Sequence, residues 1–114
     1  MPVPVTITFR SMDASPSVER AVERWVERLA SSFDRIERCG VVIELPHRHG
    51  RQGHIFHVRI DLTIPHRVIS VSDGTNLDHA HEDVYVAIAD AFRAARRQLQ
   101  DHARIQRGDV KLHA

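Results

Sequence analysis

The sequence predicts a two-layer α+β domain of the order β-α-β-β-β-α, with a four-stranded sheet and two helices packed on one face. Four short segments rich in β-branched and aromatic residues, at 3–9, 41–45, 54–64 and 67–72, are typical of strands. Two longer segments repeat apolar residues every three or four positions, as amphipathic helices do. Two helices cover one face of such a sheet, so the other face is expected to stay open.

Length and composition limit the class of protein. A chain of 114 residues with 42% hydrophobic content is expected to form one domain with a real core. It shows no signal peptide and no apolar segment of membrane-spanning length, which indicates a soluble cytoplasmic protein. The single cysteine, Cys39, is interpreted as a buried strand residue. Because the net charge is only +1, a polyanionic partner would have to be recognised through the distribution of charge.

The first two elements are marked by alternation and by a helix start. Apolar residues at every second position from Val3 to Phe9 predict the first strand. Ser15 followed by Pro16 predicts the N-cap and first residue of a helix, since the proline lacks an N–H that would be unpaired there anyway. The apolar side of that helix is formed by Val18, Ala21, Val22, Trp25, Val26, Leu29 and Phe33. Trp25 is therefore interpreted as a core residue.

The three strands that follow are separated by turns. A turn rich in glycine and basic residues is predicted at 46–53, and another at Pro65 and His66. The core face of the 54–64 strand is predicted to consist of Phe56, Val58, Ile60, Leu62 and Ile64. The opposite, open face of the sheet is predicted to carry Thr6, Thr8, His57, Arg59 and Thr63.

The segment HAHEDVYVAIADAFRAARRQLQDHAR, residues 79–104, predicts the second helix. Its apolar positions are Val84, Ile88, Ala91, Phe92, Ala95 and Leu99. Glu82, Asp83 and Asp90 lie in its first half. Its arginines lie in the second half, at Arg93, Arg96, Arg97 and Arg104. This order complements the helix dipole, so the charges have a structural explanation as well as a functional one.

A basic surface for RNA is the functional alternative. Between residues 91 and 107 five arginines accompany one carboxylate, and the 46–54 turn adds Arg48, Arg51 and three histidines. The first helix carries an arginine row at Arg20, Arg24 and Arg28 beside a glutamate row at Glu19, Glu23 and Glu27. Such rows are typical of a solvated face with weak ion pairs, but they could also present a basic ridge. Arginine suits phosphate because its planar guanidinium donates two hydrogen bonds at once.

Catalytic and metal-binding patterns are not found. The sequence has no GxSxG, P-loop or GxGxxG motif, so no catalytic residues are predicted and no enzymatic activity is expected. Nine histidines make that residue unusually frequent, yet no HExxH motif or cysteine pair supports a metal site. The histidines considered for a metal site are His47, His49, His54, His57, His66, His79 and His81. They are interpreted as hydrogen-bonding groups, and no cofactor is predicted.

The motif HEDVYVAIADAF running into ARRQLQDH resembles the bacterial ribosome hibernation factors, also known as sigma-54 modulation proteins. The resemblance covers about residues 4–104 and is most specific at Glu82, Asp83, Tyr85, Ala87 and Ile88. It implies a double-stranded-RNA-binding-like fold and a translation inhibitor on the small ribosomal subunit, across the mRNA and tRNA sites, in stationary phase or stress. The rRNA contacts it implies are Arg20, Arg24, Arg28, Arg93, Arg96, Arg97 and Arg104, and more weakly His57 and Arg59.

Within the motif, the sequence assigns structural roles to the other residues. Tyr85 and Ile88 are expected to pack the helix onto the sheet, and Glu82 and Asp83 to occupy the helix start. Residues 1–104 are predicted to form the ribosome-binding domain and 105–114 a polar tail that could lead into a further module. The rival hypothesis is a regulatory module that binds protein through the open sheet face, without a membrane or a small-molecule substrate.

Overall fold

The chain forms four strands and two long helices in the predicted order, and a computed structural model describes residues 2–46, 55–72 and 79–106. The elements are β1 (Val5–Arg10), α1 (Pro16–Ser32), β2 (Arg38–Glu44), β3 (His57–Ile64), β4 (Arg67–Ser72) and α2 (Val84–Gln106). A short 3₁₀ helix, His79–Glu82, precedes α2. The predicted two-layer α+β class is confirmed.

The sheet is mixed, with the spatial order β1-β2-β3-β4. β1 pairs with β2 in parallel, and the other two pairs are antiparallel. Parallel neighbours require a crossover between them, and α1 lies in that connection. Successive antiparallel strands need only short turns, such as Pro65–His66 between β3 and β4. His66 adopts a positive φ of 67°, a backbone conformation that is uncommon outside glycine and typical of tight turns.

The core lies between one face of the sheet and the two helices. Ile7, Val41, Ile60 and Val71 stand opposite one another across all four strands. The helices close this face with fully or nearly fully buried side chains, which are Val22, Val26, Leu29, Ile88, Phe92, Ala95 and Leu99. The apolar periodicity of the sequence therefore marks the side of each element that packs in the core.

The other face of the sheet is open, as predicted. Thr6, Thr8 and Arg59 are exposed, while His57 and Thr63 are half-buried. Asp61 organises the middle of this face, because its carboxylate accepts a hydrogen bond from the Ser70 hydroxyl at 2.6 Å and lies 3.3 Å from the Arg59 Nε. This polar cluster lies on the side of the sheet opposite to the helices.

Three strands have boundaries that differ from the predicted ones. β1 covers Val5–Arg10 rather than residues 3–9. β2 begins at Arg38 rather than Val41, because Cys39 and Gly40 also pair with β1. β3 begins at His57 rather than residue 54, and Ile55, which the alternation assigned to the polar face, is buried. The cause is tertiary, since the Phe56 N–H donates to the His81 carbonyl at 2.9 Å instead of extending the ladder with β2.

Both helices begin at capping side chains. The Ser15 hydroxyl accepts a hydrogen bond from the Val18 N–H at 3.3 Å, and Pro16 is the first helical residue, as predicted. At α2 the Asp83 carboxylate accepts from the Tyr85 N–H at 2.8 Å, so Asp83 occupies the helix start. Glu82 lies in the 3₁₀ helix before it. α2 runs to Gln106, two residues past the predicted end, and residues 107–114 lie outside the described part.

Candidate functional site

The predicted RNA-contacting residues lie on two opposite surfaces. Seven arginines belong to the helices, which cover the core face of the sheet. They are Arg20, Arg24 and Arg28 of α1 with Arg93, Arg96, Arg97 and Arg104 of α2, and together they are called the helical arginine face. His57 and Arg59 belong to the open sheet face, since they alternate with the buried Val58 and Ile60. A single flat ligand surface cannot include both sets.

Direct contacts show which sides of the two helices face each other. The Trp25 and Phe92 rings are stacked, with centroids 5.7 Å apart and planes inclined by 8°. Nearer the helix starts, the Tyr85 hydroxyl donates to the Ser17 Oγ at 3.0 Å. These two contacts join α1 to α2 over about two helical turns. The solvent-facing space between the two helices along these contacts is called the groove.

Helical periodicity places Arg28 and Arg96 beside this groove and the carboxylates of both helices farther from it. Each residue advances about 100° around a helix axis. In α1, Arg28 follows the groove residue Trp25 by three positions and shares its side, whereas Glu23 and Glu27 lie on the far side. In α2 the same geometry puts Arg96, four residues after Phe92, nearest to α1. On the outer flank of α2 lie Asp90 and Asp101.

Ion pairs neutralise only part of the helical arginine face. Asp90 lies 3.4 Å from Arg93, and Asp101 lies 3.4 Å from Arg104, each joining a carboxylate oxygen to a guanidinium nitrogen. Exposed pairs of this kind contribute about 0–1 kcal/mol. Among residues 2–46, 55–72 and 79–106, no carboxylate forms an ion pair with the three arginines of α1. All three side chains are exposed, so their charges stay available to an anionic ligand.

Trp25 is half-buried, and it is the residue whose role the sequence pattern underestimated. It packs on the core through Phe92, as the prediction of a core residue requires. Two guanidinia also lie over its ring in cation–π contacts. The Arg28 Cζ is 5.2 Å and the Arg93 Cζ 5.8 Å from the ring centroid. The i, i+3 spacing of Trp25 and Arg28 is a sequence signal for the first contact, but the second depends on how the helices pack.

Arg96 differs from the other arginines of the helical arginine face. It is half-buried, and within the described ranges its Nε is enclosed without a hydrogen-bond partner. Leaving a buried donor unpaired costs about 1–3 kcal/mol. The RNA contact predicted for Arg96 would therefore have to use the two terminal Nη groups of its guanidinium.

The motif residues Tyr85 and Ile88 have different environments in the structure. Ile88 is fully buried against the sheet, which confirms its predicted packing role. The same prediction is wrong for Tyr85, which is 46% exposed and bonds to Ser17 of α1. The reason is its position on the α1-facing side of α2, where the hydroxyl can reach a polar partner while staying hydrated.

His81 and Asp90 form a pair that the sequence pattern did not reveal. The His81 side chain is buried, and its Nε2 lies 2.9 Å from the Asp90 carboxylate. Since the same carboxylate contacts Arg93, the chain from His81 through Asp90 positions a guanidinium at the groove. In the described part of the chain no three potential ligands cluster as a metal site would need. His47, His49 and His54, and the basic turn with Arg48 and Arg51, lie outside the described residues.

Cys39 is buried in β2, as predicted from its place in an apolar strand. Burial raises the pKa of its thiol from 9.0 to about 12, and the nearby Asp61 carboxylate contributes to the same rise. A thiol needs its thiolate form to act as a nucleophile, so this side chain is inert near neutral pH.

Comparisons with known proteins give one family and two structural neighbours. The family model described as sigma 54 modulation protein / S30EA ribosomal protein matches residues 5–107. A ribosomal subunit interface protein from Coxiella burnetii is 15% identical with a TM-score of 0.70, over 89% of this chain and 98% of its own. The N-terminal domain of Thermus thermophilus Protein Y is 21% identical with a TM-score of 0.66, over 90% and 99%. At these identities the neighbours show the shared fold. No curated protein sequence matches significantly.

Proposed function

Because the chain belongs to the sigma 54 modulation protein / S30EA ribosomal protein family, we propose that it binds the small ribosomal subunit and suppresses translation. In this proposal it occupies the region of the mRNA and tRNA sites in stationary phase or stress. The name of the Coxiella burnetii neighbour, a ribosomal subunit interface protein, supports the same partner. The protein would act by occupying a site on the ribosome, without catalysing a reaction.

The observation that carries the proposal is the helical arginine face, of which Arg28, Arg93 and Arg96 lie nearest to the groove between α1 and α2. Guanidinia bind phosphate oxygens through paired, charge-assisted hydrogen bonds. Folded RNA presents phosphates on a regular A-form surface, which proteins recognise largely by shape and backbone contacts. The carboxylates of both helices lie on the outer flanks, so an RNA backbone that follows the groove meets the arginines first. The near-neutral net charge of +1 is therefore compatible with a local phosphate-binding surface.

Co-sedimentation with ribosomal particles tests the proposal. The purified chain is centrifuged with separated 30S subunits and with 70S ribosomes, at low and at high salt. We expect it to pellet with both particles at low salt and to be released as salt rises, because phosphate contacts displace counterions. Inhibition of a cell-free translation reaction should follow the bound fraction. A chain that stays in the supernatant at low salt would contradict the proposal.

Charge-matched double variants decide which surface binds. Arg24→Glu with Arg97→Glu reverses two exposed charges on the helical arginine face, and we expect it to abolish pelleting. Arg38→Glu with Arg59→Glu makes the same charge change on the open sheet face, and we expect it to pellet like the parent. All four side chains are exposed, so both variants should keep the fold.

The rival function, a regulatory protein-binding module, has support in the polar cluster on the open sheet face. Asp61, Arg59 and Ser70 form a connected set of hydrogen-bonding groups there, away from the helices. If the sheet-face variant alone lost its partner, and the helical variant kept it, the protein-binding function would replace the ribosomal one. Capture after nuclease treatment distinguishes a protein partner from an RNA partner.

A further inference from the structure

We propose that Arg28 and Arg93 form one phosphate-binding site that spans the groove between the helices, and that Trp25 is its positioning residue. The site is called the tryptophan-supported arginine pair. It rests on the proposed function, since its ligand is taken to be a phosphodiester of ribosomal RNA. What it adds is a specific pair of residues, a stoichiometry of one phosphate for two arginines, and a role for Trp25.

Both guanidinia contact the same indole ring. The Arg28 Cζ lies 5.2 Å and the Arg93 Cζ 5.8 Å from the Trp25 ring centroid, so the two carbons are both within cation–π distance of one ring. One arginine comes from each helix, and each places its guanidinium over Trp25. The stacking of Trp25 on Phe92 fixes the ring that supports them both.

Two like charges near one ring repel each other, and an anion bound to both would offset that repulsion. Asp90 supplies part of that balance at 3.4 Å from Arg93, and it is itself held by the buried His81 at 2.9 Å. Arg28 is exposed and has no ion-pair partner among residues 2–46, 55–72 and 79–106. Since the Arg93 side chain is 61% exposed as well, both guanidinia can turn N–H groups toward a ligand in the groove.

Phosphate is the ligand chemistry that fits this arrangement. A phosphodiester has two free oxygens with one shared negative charge, and two guanidinia can each donate to it. Base stacking on Trp25 fits less well, because Phe92 and the two guanidinia already contact the indole ring. Trp25 is therefore a support that orders the arginines in advance, which lowers the entropy lost when the phosphate binds.

The salt dependence of binding to purified 30S subunits tests the stoichiometry. The probe is the 30S particle, and the variants are Arg28→Gln, Arg93→Gln and the double variant. Each single variant should weaken binding about tenfold. In a plot of log K against log salt, loss of one phosphate contact lowers the slope by about one. The double variant should lower it by about one as well, whereas two separate phosphate contacts would lower it by about two and overturn the shared site.

The role of Trp25 is tested by Trp25→Leu and Trp25→Phe. Trp25→Leu removes the aromatic face and should weaken 30S binding about as much as Arg28→Gln. Trp25→Phe keeps an aromatic face and should retain most of the parent's affinity. In the double arginine variant, Trp25→Leu should have no further effect on binding, because its partners are gone. A further loss there would mean that Trp25→Leu acts through folding, and would overturn the positioning role.

The outcomes separate this site from the proposed function. If the parent chain binds 30S subunits and the arginine and tryptophan variants bind equally well, the site is wrong and the ribosomal function stands. If the parent chain fails to bind, both are wrong. Trp25 is the only tryptophan of the chain, so its fluorescence is a direct second measurement. We expect its emission to change on adding 30S subunits to the parent chain, and an unchanged emission with full binding would contradict the site.

Discussion

Cys39 lies in the middle of the sheet, with Val5 and Leu62 as its neighbours on the adjoining strands. Its thiol is therefore surrounded by apolar side chains on the core face, while Asp61, which precedes Leu62 in β3, points to the other face. Burial is the main cause of its raised pKa, and the Asp61 carboxylate is the second. Both effects disfavour the thiolate in the folded protein and are absent from the unfolded chain.

The raised pKa predicts a loss of stability at alkaline pH. The unfolded chain releases the thiol proton near pH 9.0, and the folded chain only near pH 12. The contribution of Cys39 is thus fully present below pH 9.0 and is lost as the pH rises toward 12. At about pH 10.5 the loss should reach about 2 kcal/mol. The measurement is urea unfolding of the parent and of Cys39→Ala across this pH range. The parent should lose about 2 kcal/mol of unfolding free energy relative to the variant by about pH 10.5. An unchanged difference between the two proteins would contradict the prediction.

At the residue scale, the sequence predicted roles that depend on local spacing and missed those that depend on a partner. Ser15, Asp83 and Ile88 were placed correctly because capping and burial follow from positions a few residues away. Trp25 and Tyr85 were placed only in part, since each completes its contacts on the other helix. The pairing of His81 with Asp90 also joins two elements, the 3₁₀ helix and α2, and no short sequence motif predicts it.

The start of α1 depends on a single side chain. The Ser15 hydroxyl accepts from the Val18 N–H, which otherwise would be one of the unpaired donors at the helix start. α1 carries three of the seven arginines of the helical arginine face, and its first turn contains Ser17, the partner of Tyr85. The cap therefore links the stability of α1 to the contact between the helices.

Removal of this cap should destabilise the whole domain. Ser15→Ala is expected to lower the free energy of unfolding by about 1 kcal/mol. The matched control is Ser31→Ala near the end of the same helix, where the exposed serine hydroxyl only donates to the Arg28 carbonyl. That control should change stability by less than about 0.5 kcal/mol. Thermal and urea unfolding of the two variants give the comparison, and equal effects would argue against the capping role.

At the scale of elements, the sequence predicted each helix and strand but not every boundary. β4 was placed at 67–72 as observed, because its alternation is bounded by turn residues on both sides. The start of β3 was wrong because a backbone hydrogen bond to the 3₁₀ helix replaces its first ladder positions. The groove between α1 and α2 was not predicted, since helical periodicity gives the apolar side of each helix but not the angle at which two helices meet.

The whole molecule divides its functions between layers. The core holds the sheet to the helices, the helices present arginines, and the open face carries an independent polar cluster. Strand pairing in β1 and β2 is parallel, which the sequence pattern could not distinguish from antiparallel pairing because both strands have apolar core positions. The layered arrangement also means that neighbouring residues in one strand can have unrelated roles.

Ile60 and Arg59, consecutive in β3, provide the sharpest test of this separation. Ile60 is fully buried opposite Val41 and Val71, so Ile60→Ala should cost about 2–5 kcal/mol of unfolding free energy. Arg59 is exposed and pairs only with Asp61 among the described residues, so Arg59→Ala should cost about 0–1 kcal/mol.

Below its own midpoint of thermal unfolding, each of these variants should still pellet with 30S subunits at low salt, because neither changes the helical arginine face. Equal stability losses would show that the open face is part of the fold's support. Loss of pelleting in Arg59→Ala alone would move the RNA contact to the sheet, since this variant keeps the core and the helices intact.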